Sequence, residues 1–299
     1  MTRRILILTN PHRPETEEAG RVAARALSDA GVEPCFEYEQ GVSEPIEAAI
    51  VLGGDGTMLH AAHVTHGSGI PLLGVNLGRV GFLAELERDD VAHAVSRLVG
   101  GDYAIEERGT LEVKVMHPDG SRDEGWALNE ATLERANLRR TLEVAVEVDG
   151  RPLSSFGCDG VIVATATGST AHAFSAGGPV MWPNVDGLLF VPLAAHALFS
   201  RPLVIGPSSY FAVEVNEHSE SHALLVLDGS RGIDVEVGGR VEVRKSTQTV
   251  RLARLNDAPF TERLVQKFSL PTDGWRGERG RRARAGGPAL ATDAPDEDG

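Results

Sequence analysis

The residues best suited to chemistry lie in the segment 53–57, GGDGT, which directly follows the apolar run 48–52. Glycines let the backbone turn tightly and leave no side chains between the main chain and a ligand. The N–H groups of such a turn can bind phosphate oxygens. Asp55 is the only side chain there that can take a proton. The segment therefore predicts a phosphate-binding turn with its own base, as phosphoryl transfer to a hydroxyl requires; a purely structural turn is the alternative.

A second segment, residues 158–179, contains a carboxylate turn, an apolar strand and a glycine turn rich in hydroxyl groups. Thr167, Ser169 and Thr170 are typical helix-capping residue types. We therefore expect a helix from Ala171 whose N-terminus and hydroxyls face an anion or a ribose. An ordinary helix cap without a ligand is the alternative.

The third segment is the pair Asn129-Glu130, which follows two apolar residues. The pair offers a donor, an acceptor and a charge close together, which suits an adenine edge or ribose hydroxyls. A solvated strand end is the alternative. Two common nucleotide-binding motifs, GxxxxGK[ST] and GxGxxG, are absent from the chain.

The elements that position these segments alternate between strand and helix over the first hundred residues. Short apolar strands separated by amphipathic helices predict a parallel sheet with helices on both faces. The GGDGT segment then lies at the carboxyl end of a strand, where open α/β sheets bind ligands. Thr16 is the expected N-cap of the first helix. The predicted strands are 4–9, 34–38, 48–52 and 71–76, and the predicted helices are 16–30, 58–66 and 89–99.

From about residue 103 the pattern changes to apolar and polar residues in alternation, with turn signals at Asp149-Gly150 and Gly238-Gly239. This pattern predicts a second, predominantly antiparallel β-sandwich domain with strands at 111–115, 142–148, 211–215, 233–237 and 241–244. The expected division is an α/β domain at 1–102, a β-rich domain at 103–260, and a segment at 261–275 with a short helix returning to the first domain. Residues 276–299 have the composition of a disordered tail.

Composition narrows the class of protein. The chain has 299 residues and a net charge of −14, which argues against a nucleic-acid-binding surface. Cys35 and Cys158 favour reduced thiols, with one disulfide as the alternative. The apolar run 5–8 is too short for a signal peptide, and no stretch approaches the length of a membrane span. We therefore expect a cytoplasmic protein with no membrane partner.

In this order, the three segments resemble the NAD kinase family in an actinobacterial style, over essentially residues 4–276. GGDGT alone also occurs in diacylglycerol, sphingosine and 6-phosphofructo-kinases, whereas the block 159–179 is far more specific. The other matching motifs are NLGRVGFLAE at 76–85, LNE at 128–130, AHALFSRPLV at 195–204 and FTERLVQKFSLPTDGW at 260–275.

The resemblance implies a phosphotransferase that phosphorylates the 2′-hydroxyl of the adenosine ribose of NAD to give NADP, with Asp55 as the base. The implied donor is ATP or inorganic polyphosphate, with Mg²⁺ or another divalent metal to offset the charge of the transferred group. No dedicated metal site is visible in the sequence. A homodimer or homotetramer is also implied.

The resemblance also implies a set of ligand-binding residues. Asn129 and Glu130 would hold the adenine side of NAD, and Asp159 would bind toward the nicotinamide end, often from a neighbouring subunit. Arg140 would supply a cation, with the adjacent Arg139 as an alternative. The remaining members are Gly56, His60 (or else a solvent-facing helix histidine), and the adenosine-pocket residues Thr170, Ala171, His172, Ala173, Phe174 and Ser175.

Three residues depart from the family pattern: His172 replaces a tyrosine, Ala166 a proline and Ser230 a glutamine. These departures bear on ligand affinity or donor preference more than on the reaction. They leave open a non-catalytic NAD(P)-binding paralogue. A lipid kinase of the diacylglycerol type that shares GGDGT is a further alternative, although it would not explain Asn129-Glu130.

Overall fold

The computed structural model describes residues 2–10, 13–39, 45–77, 81–84, 91–256 and 259–272. The described strands are β1 (Arg4–Thr9), β2 (Glu33–Cys35), β3 (Ala48–Leu52), β4 (Leu72–Val75), β5 (Ala104–Met116), β6 (Arg122–Ala127), β7 (Glu130–Arg135), β8 (Leu142–Val148), β9 (Arg151–Cys158), β10 (Gly160–Ala164), β11 (Leu188–Leu193), β12 (Leu203–Ile205), β13 (Tyr210–Val215), β14 (Ala223–Leu227), β15 (Arg231–Val235) and β16 (Arg240–Arg254). The helices are α1 (Pro14–Asp29), α2 (Asp55–Val64), α3 (Val91–Val99), α4 (His172–Ser175) and α5 (Phe260–Phe268).

The first four strands form a parallel sheet in the order β2-β1-β3-β4. Successive residues of a strand point to opposite faces, and both faces are covered. Ile50 packs with α1 and α3, whereas Val51 packs with α2. Every residue of β3 is therefore buried, as expected of a central parallel strand. The predicted α/β class is confirmed, and GGDGT follows the carboxyl end of β3.

Two helix starts differ from the prediction. Helix α1 begins at Pro14, a favourable residue for the first turn, and Arg13 occupies the N-cap position. The hydroxyl of Thr16 instead donates to the Asn10 and Arg13 carbonyls, each at 2.8 Å. Helix α2 begins at Asp55, before the predicted start at residue 58, because the helix starts inside the glycine turn. The Asp89-Asp90 pair lies outside the described residues.

The remaining strands form a β-sandwich. One layer continues the first sheet through β16, β13, β8 and β9, with β5 and β6 paired beside β16. The other layer is a six-stranded antiparallel sheet in the order β12-β11-β10-β7-β14-β15. Alternate apolar residues of the two layers, such as Val213 and Leu225, share one core. The predicted antiparallel sandwich is confirmed.

Strand β16 connects the two parts of the fold. Its Val241 and Val243 lie in the sandwich core, whereas Val250 and Leu252 lie in the core beneath α2. Leu252 pairs with Leu72 of β4 in parallel. The sheet is thus continuous, and the end of β16 packs with the α/β part although the sequence grouped it with the β-rich part.

Helix α5 lies where the two parts meet. Phe82 of the α/β part contacts Phe260 and Phe268, with ring centroids 5.7 and 5.9 Å apart. Phe268 also contacts Phe174, which follows the sandwich strand β10, at 4.5 Å. The short helix at the end of the chain therefore packs on both parts. The tail 276–299 lies outside the described residues.

We expect Leu252→Ala to lower the free energy of unfolding by about 2–5 kcal/mol, since it removes a fully buried side chain at the junction. The measurement is urea unfolding followed by circular dichroism. Leu153→Ala, at a residue that is 46% exposed, should change the value by no more than about 0.5 kcal/mol. Equal effects of the two variants would contradict the role of Leu252.

Candidate functional site

Asp55 is held in a fixed orientation by the backbone of a distant segment. Its Oδ2 accepts the N–H of Phe82 at 3.1 Å, and its Oδ1 accepts the N–H of Leu83 at 3.0 Å. A Cβ at Gly81 would lie 2.9 Å from the Asp55 carboxyl carbon, so only glycine permits this approach. Since each oxygen carries two lone pairs, the carboxylate can still accept a proton from a ligand.

The glycines around Asp55 have different roles. A Cβ at Gly53 would lie 2.8 Å from the Thr57 Cβ, so this glycine is required by the tight turn itself. Among the described residues, no atom lies within 4 Å of a Cβ built on Gly54 or on Gly56. The main chain is thus open beside these two residues, as a ligand-facing turn requires.

The Asn129-Glu130 pair is held from two sides. The Asp228 carboxylate accepts the N–H groups of Leu128 at 3.0 Å and Asn129 at 2.7 Å. On the other side, the Thr165 hydroxyl donates to the Leu128 carbonyl at 2.6 Å. Asn129 and Glu130 are both buried, so the alternative of a solvated strand end is wrong.

Glu130 has an unusual environment for a carboxyl group. Burial raises its pKa to about 8, and the charge of Asp228 adds to this effect, while a backbone hydrogen bond from His172 opposes it. Glu130 is therefore mainly protonated at neutral pH and offers a hydroxyl donor. Its Oε2 and the Asn129 Oδ1 are buried without a hydrogen-bond partner among the described residues. Within the described chain, neither atom therefore has a protein partner that a ligand would need to displace.

The hydroxyl-rich turn differs from the predicted helix cap. Residues Gly168–Thr170 form a 3₁₀ turn, and α4 begins at His172 with no side-chain cap. The Ser169 hydroxyl donates to the Ala166 carbonyl at 2.7 Å and accepts the Met181 N–H at 2.8 Å. The predicted cap from residue 171 is therefore wrong, because these hydroxyls close the turn internally.

Gly168 places this turn directly against the Asn129-Glu130 pair. A Cβ at Gly168 would lie 2.9 Å from the Asn129 Cα, so no larger residue fits. His172 is exposed and its backbone bonds to Glu130, whereas the Ala173 side chain is buried in a small core. Phe174 is 38% exposed. The turn therefore presents the His172 backbone to Glu130, while Ala173 packs in the small core behind it.

Side-chain packing joins the two halves of the site. Leu128 lies in the same buried cluster as Met58 of α2 and Leu83. Leu83 in turn donates to Asp55. The structure therefore brings Asp55, Gly56, Asn129, Glu130 and residues 170–175 to one region. His60 is exposed on α2 four residues after Gly56, so it shares a helix face with that residue.

Arg140 and Asp159 lie elsewhere in the chain. Asp159 precedes β10 and pairs with Arg135 at 3.1 Å, and Arg140 pairs with Glu220 at 3.0 Å. Strand β10 separates Asp159 from the end that pairs with Glu130. At about 3.3 Å per residue, its length places Asp159 roughly 17 Å away. Within a single chain, Arg140 and Asp159 therefore lie away from Asp55.

A stacked group that the sequence did not predict supports the Asn129-Glu130 pair. The His66 and Trp126 rings are parallel at 3.8 Å, and the Arg231 guanidinium lies 5.0 Å from the Trp126 ring. Arg231 also donates to Asp228 at 2.8 Å. Burial lowers the pKa of His63 and His66, and the charge of Arg231 adds to this. The Asp228-Gly229 pair is the sequence signal that could have indicated this group. Most residues of the group are distant from that pair in the chain, so the sequence did not connect them.

Comparison with known proteins agrees with this geometry. The family model of the ATP-NAD kinase N-terminal domain matches residues 37–103, and that of the ATP-NAD kinase C-terminal domain matches residues 128–255. The chain belongs to the NAD kinase family. The resemblance predicted from the sequence is confirmed.

Relatives in this family match most of the chain. An NAD kinase of Leifsonia xyli is 51% identical to this chain. The match covers 93% of this chain and 98% of the relative. NAD kinase 2 of Streptomyces avermitilis is 56% identical over 232 residues, which cover 77% of this chain and 76% of the relative. The similarity to NAD kinases thus extends over nearly the whole length of the chain.

Solved structures of NAD kinases share the fold. A yeast NADH kinase complexed with NADH superposes with a TM-score of 0.83 at 23% identity, covering 91% of this chain and 89% of that chain. An NAD kinase from Archaeoglobus fulgidus in complex with ATP gives a TM-score of 0.70 at 26% identity, covering 91% of this chain and 100% of that chain.

Within the described residues, no helix is long and apolar enough to cross a membrane.

We expect Glu130→Gln to stabilise the protein at pH 8. The pKa of Glu130 in the folded state, about 8, lies above its ordinary value of 4.5, so its contribution to stability is complete below pH 4.5 and is lost as the pH rises to about 8. The glutamine side chain has no titrating proton to lose, and we expect a gain of at least about 1 kcal/mol at pH 8. Urea unfolding at pH 5 and pH 8 measures this. Glu134→Gln, on the same strand, is the control; equal pH profiles for Glu130→Gln and wild type would contradict the assignment.

Proposed function

We propose that this NAD kinase transfers a phosphoryl group to the 2′-hydroxyl of the adenosine ribose of NAD, which gives NADP. The observation that carries the proposal is that Leu83, which orients the Asp55 carboxylate, and Leu128, which precedes the buried Asn129-Glu130 pair, lie in one cluster. The polar atoms of that pair that have no partner among the described residues suit a nucleotide. Membership of the NAD kinase family supports the same reaction.

Asp55 is the proposed base. Phosphoryl transfer depends mainly on positioning and on neutralising charge, so the protein needs one well-placed proton acceptor rather than a nucleophile. The bonds from Phe82 and Leu83 fix the direction of the remaining lone pairs. Asp55 would accept the 2′-hydroxyl proton as the hydroxyl oxygen bonds to the terminal phosphorus of the donor, while the bond from that phosphorus to the bridging oxygen breaks and ADP leaves when the donor is ATP. The open main chain of Gly54 and Gly56 would face the phosphates.

The proposed NAD subsite uses Asn129, Glu130 and the turn after β10. The Asn129 side chain and the protonated Glu130 carboxyl offer both donors and acceptors to the adenine side of NAD. His172 supplies a planar ring in place of a tyrosine, and Phe174 is partly exposed. Residues 170–175 would line the adenosine pocket, with Ala173 contributing only through its backbone.

ATP is the proposed donor, with polyphosphate as a second candidate. The Archaeoglobus fulgidus NAD kinase, which shares the fold, is described in complex with ATP. Mg²⁺ or another divalent metal would offset the charge on the transferred group. The described residues contain no cluster of three metal-ligating side chains. That finding fits a metal held chiefly by the donor's phosphates, with few protein carboxylates.

We further propose a homodimer or homotetramer in which Arg140 and Asp159 complete the site of a neighbouring copy. Their distance from Glu130 in one chain supports this arrangement. Leu198, Phe199 and Val204 are exposed apolar residues near the edge strand β12 and offer a contact surface. A cytoplasmic location without a nucleic-acid partner agrees with the net charge of −14.

We expect the wild-type protein to form NADP from NAD and ATP, and Asp55→Asn to lower kcat at least about 100-fold, because the amide cannot accept the proton. NAD affinity, measured by calorimetry, should change little. The rate is measured by an NADP-specific coupled assay, with polyphosphate replacing ATP in a parallel series. A wild-type protein that binds NAD and forms no NADP with either donor would instead indicate a non-catalytic paralogue.

Retained turnover in Asp55→Asn would remove Asp55 as the base. Asp149→Asn is a suitable control, because Asp149 is an exposed residue in the turn between β8 and β9, where it accepts from Ser209 and from the Tyr210 N–H. The control should keep wild-type kcat.

Coexpression tests the shared site. Asp55→Asn and Asp159→Asn chains should each be weakly active alone. Each mixed dimer contains one intact site of two, and about half of the coexpressed dimers are mixed, so the coexpressed sample should recover about a quarter of the wild-type activity. The matched control pairs Asp55→Asn with Asn129→Ala, which lie in the same chain's cluster and should show no recovery. Absence of recovery in the first pair would contradict a site shared between copies.

A further inference from the structure

A buried ionic group, which we call the arginine clamp, lies on the two strands that connect the halves of the fold. It consists of Glu106 and Arg108 on β5 and Arg254 on β16. Glu106 accepts from Arg254 Nε at 2.6 Å and from the Arg108 guanidinium at 2.8 Å. The arginine side chains are only 5% and 7% exposed. One carboxylate therefore holds two guanidinium groups out of water.

The clamp reaches both halves of the site. Arg254 donates to the Leu83 carbonyl at 3.0 Å, and the N–H of Leu83 donates to Asp55 at 3.0 Å. Leu83 thus connects the clamp to Asp55 through its two backbone polar groups. On the other side, Arg108 makes a long contact of 3.5 Å with the Thr167 hydroxyl, next to the turn that packs on Asn129.

Stability alone explains this group poorly. Burying a guanidinium is costly, and apolar residues of similar volume often replace buried ion pairs without loss of stability. Burial lowers the pKa of Arg108, and the nearby charge of Arg254 adds to this, while Glu106 opposes it. Arg108 Nε and one terminal nitrogen of Arg254 have no hydrogen-bond partner among the described residues. Burial of Glu106 acts to raise its pKa, but the two arginines together lower that pKa and so favour the charged form. Burying guanidinium nitrogens that lack a partner in the described chain still carries a cost that apolar residues would avoid, and this cost directs attention to the geometry that the group imposes.

That geometry is needed at segment 81–84. Within the part of the chain that the structure describes, Asp55 is oriented by the N–H groups of Phe82 and Leu83, so a small shift of this backbone redirects the carboxylate. A guanidinium bound to a carboxylate fixes a carbonyl more firmly than an apolar contact does, because the direction of its donors is set by a rigid plane.

We propose that Arg254, held by Glu106, is a positioning residue that acts through Leu83 to aim Asp55 at the acceptor hydroxyl. The expected effect of Arg254 on turnover rests on the proposed function. Its expected effect on the position of the Leu83 backbone is independent of that function.

The test compares Arg254→Met, Arg254→Lys and wild type. Arg254→Met keeps the volume and removes the bond to Leu83, so we expect kcat to fall about 10- to 100-fold, as for other small misplacements of a reacting group. The KM and the calorimetric Kd for NAD should stay within about twofold of wild type, although the Tm falls, because removing one partner of a buried ion pair is destabilising. Arg254→Lys keeps the charge and one donor, and should recover part of kcat.

The matched control is Arg244→Met on the same strand, an exposed arginine paired with Glu242 at 3.1 Å. Its kcat and Kd should equal those of wild type. A purely structural role of Arg254 would instead weaken NAD binding in parallel with kcat.

Amide hydrogen exchange gives a readout that is independent of activity. In Arg254→Met, the Phe82 and Leu83 amides should exchange at least about tenfold faster than in wild type, while amides of β3 keep their protection. Unchanged exchange or unchanged kcat would overturn the proposal. If wild type forms no NADP while Leu83 exchange still responds to Arg254→Met, the proposed function fails and the positioning of Asp55 stands.

Discussion

Two aspartates each accept a pair of adjacent backbone N–H groups, and the halves of the site take their shape from these bonds. Asp55 binds the amides of Phe82 and Leu83. Asp228 binds the amides of Leu128 and Asn129 in the same manner. Hydrogen bonds to an ionised acceptor are stronger than neutral ones, so each pair fixes a loop that no regular strand or helix would hold. The glycines beside these loops permit the close approach.

The neighbouring carboxyl groups of Glu130 and Asp228 lie in different environments. Glu130 is buried beside Asp228, and burial together with that charge raises its pKa enough to keep it protonated at neutral pH. Asp228 instead receives two backbone donors and the Arg231 guanidinium. Neighbouring carboxyls can therefore serve as a donor to a ligand and as a structural acceptor within one loop. This division would let the site bind a nucleotide without placing two negative charges against its phosphates.

Local patterns in the sequence predicted the strands with strong periodicity and the long-range contacts poorly. Strands β6, β7, β9, β11, β12 and β14 were not predicted. The bounds of β3 and β8 match the prediction because an apolar run and a period-two alternation are local signals. The Ser and Thr residues after β10 were misread as helix caps, since hydroxyls that close a turn internally have the same spacing. Arg254 was not singled out, because its partners lie more than a hundred residues away. The sequence could suggest site residues where a motif is contiguous, but not contacts that only tertiary structure assembles.

Strand β16 couples the unfolding of the two parts of the molecule. It supplies Val243 to the sandwich core and Leu252 to the core beneath α2. Detaching this strand therefore exposes apolar surface in both cores at once. The two parts of the chain are then one cooperative unit, in which partial opening of either core carries an energetic penalty in the other. The candidate site, whose residues come from both parts, is therefore shaped by elements that gain or lose their order together.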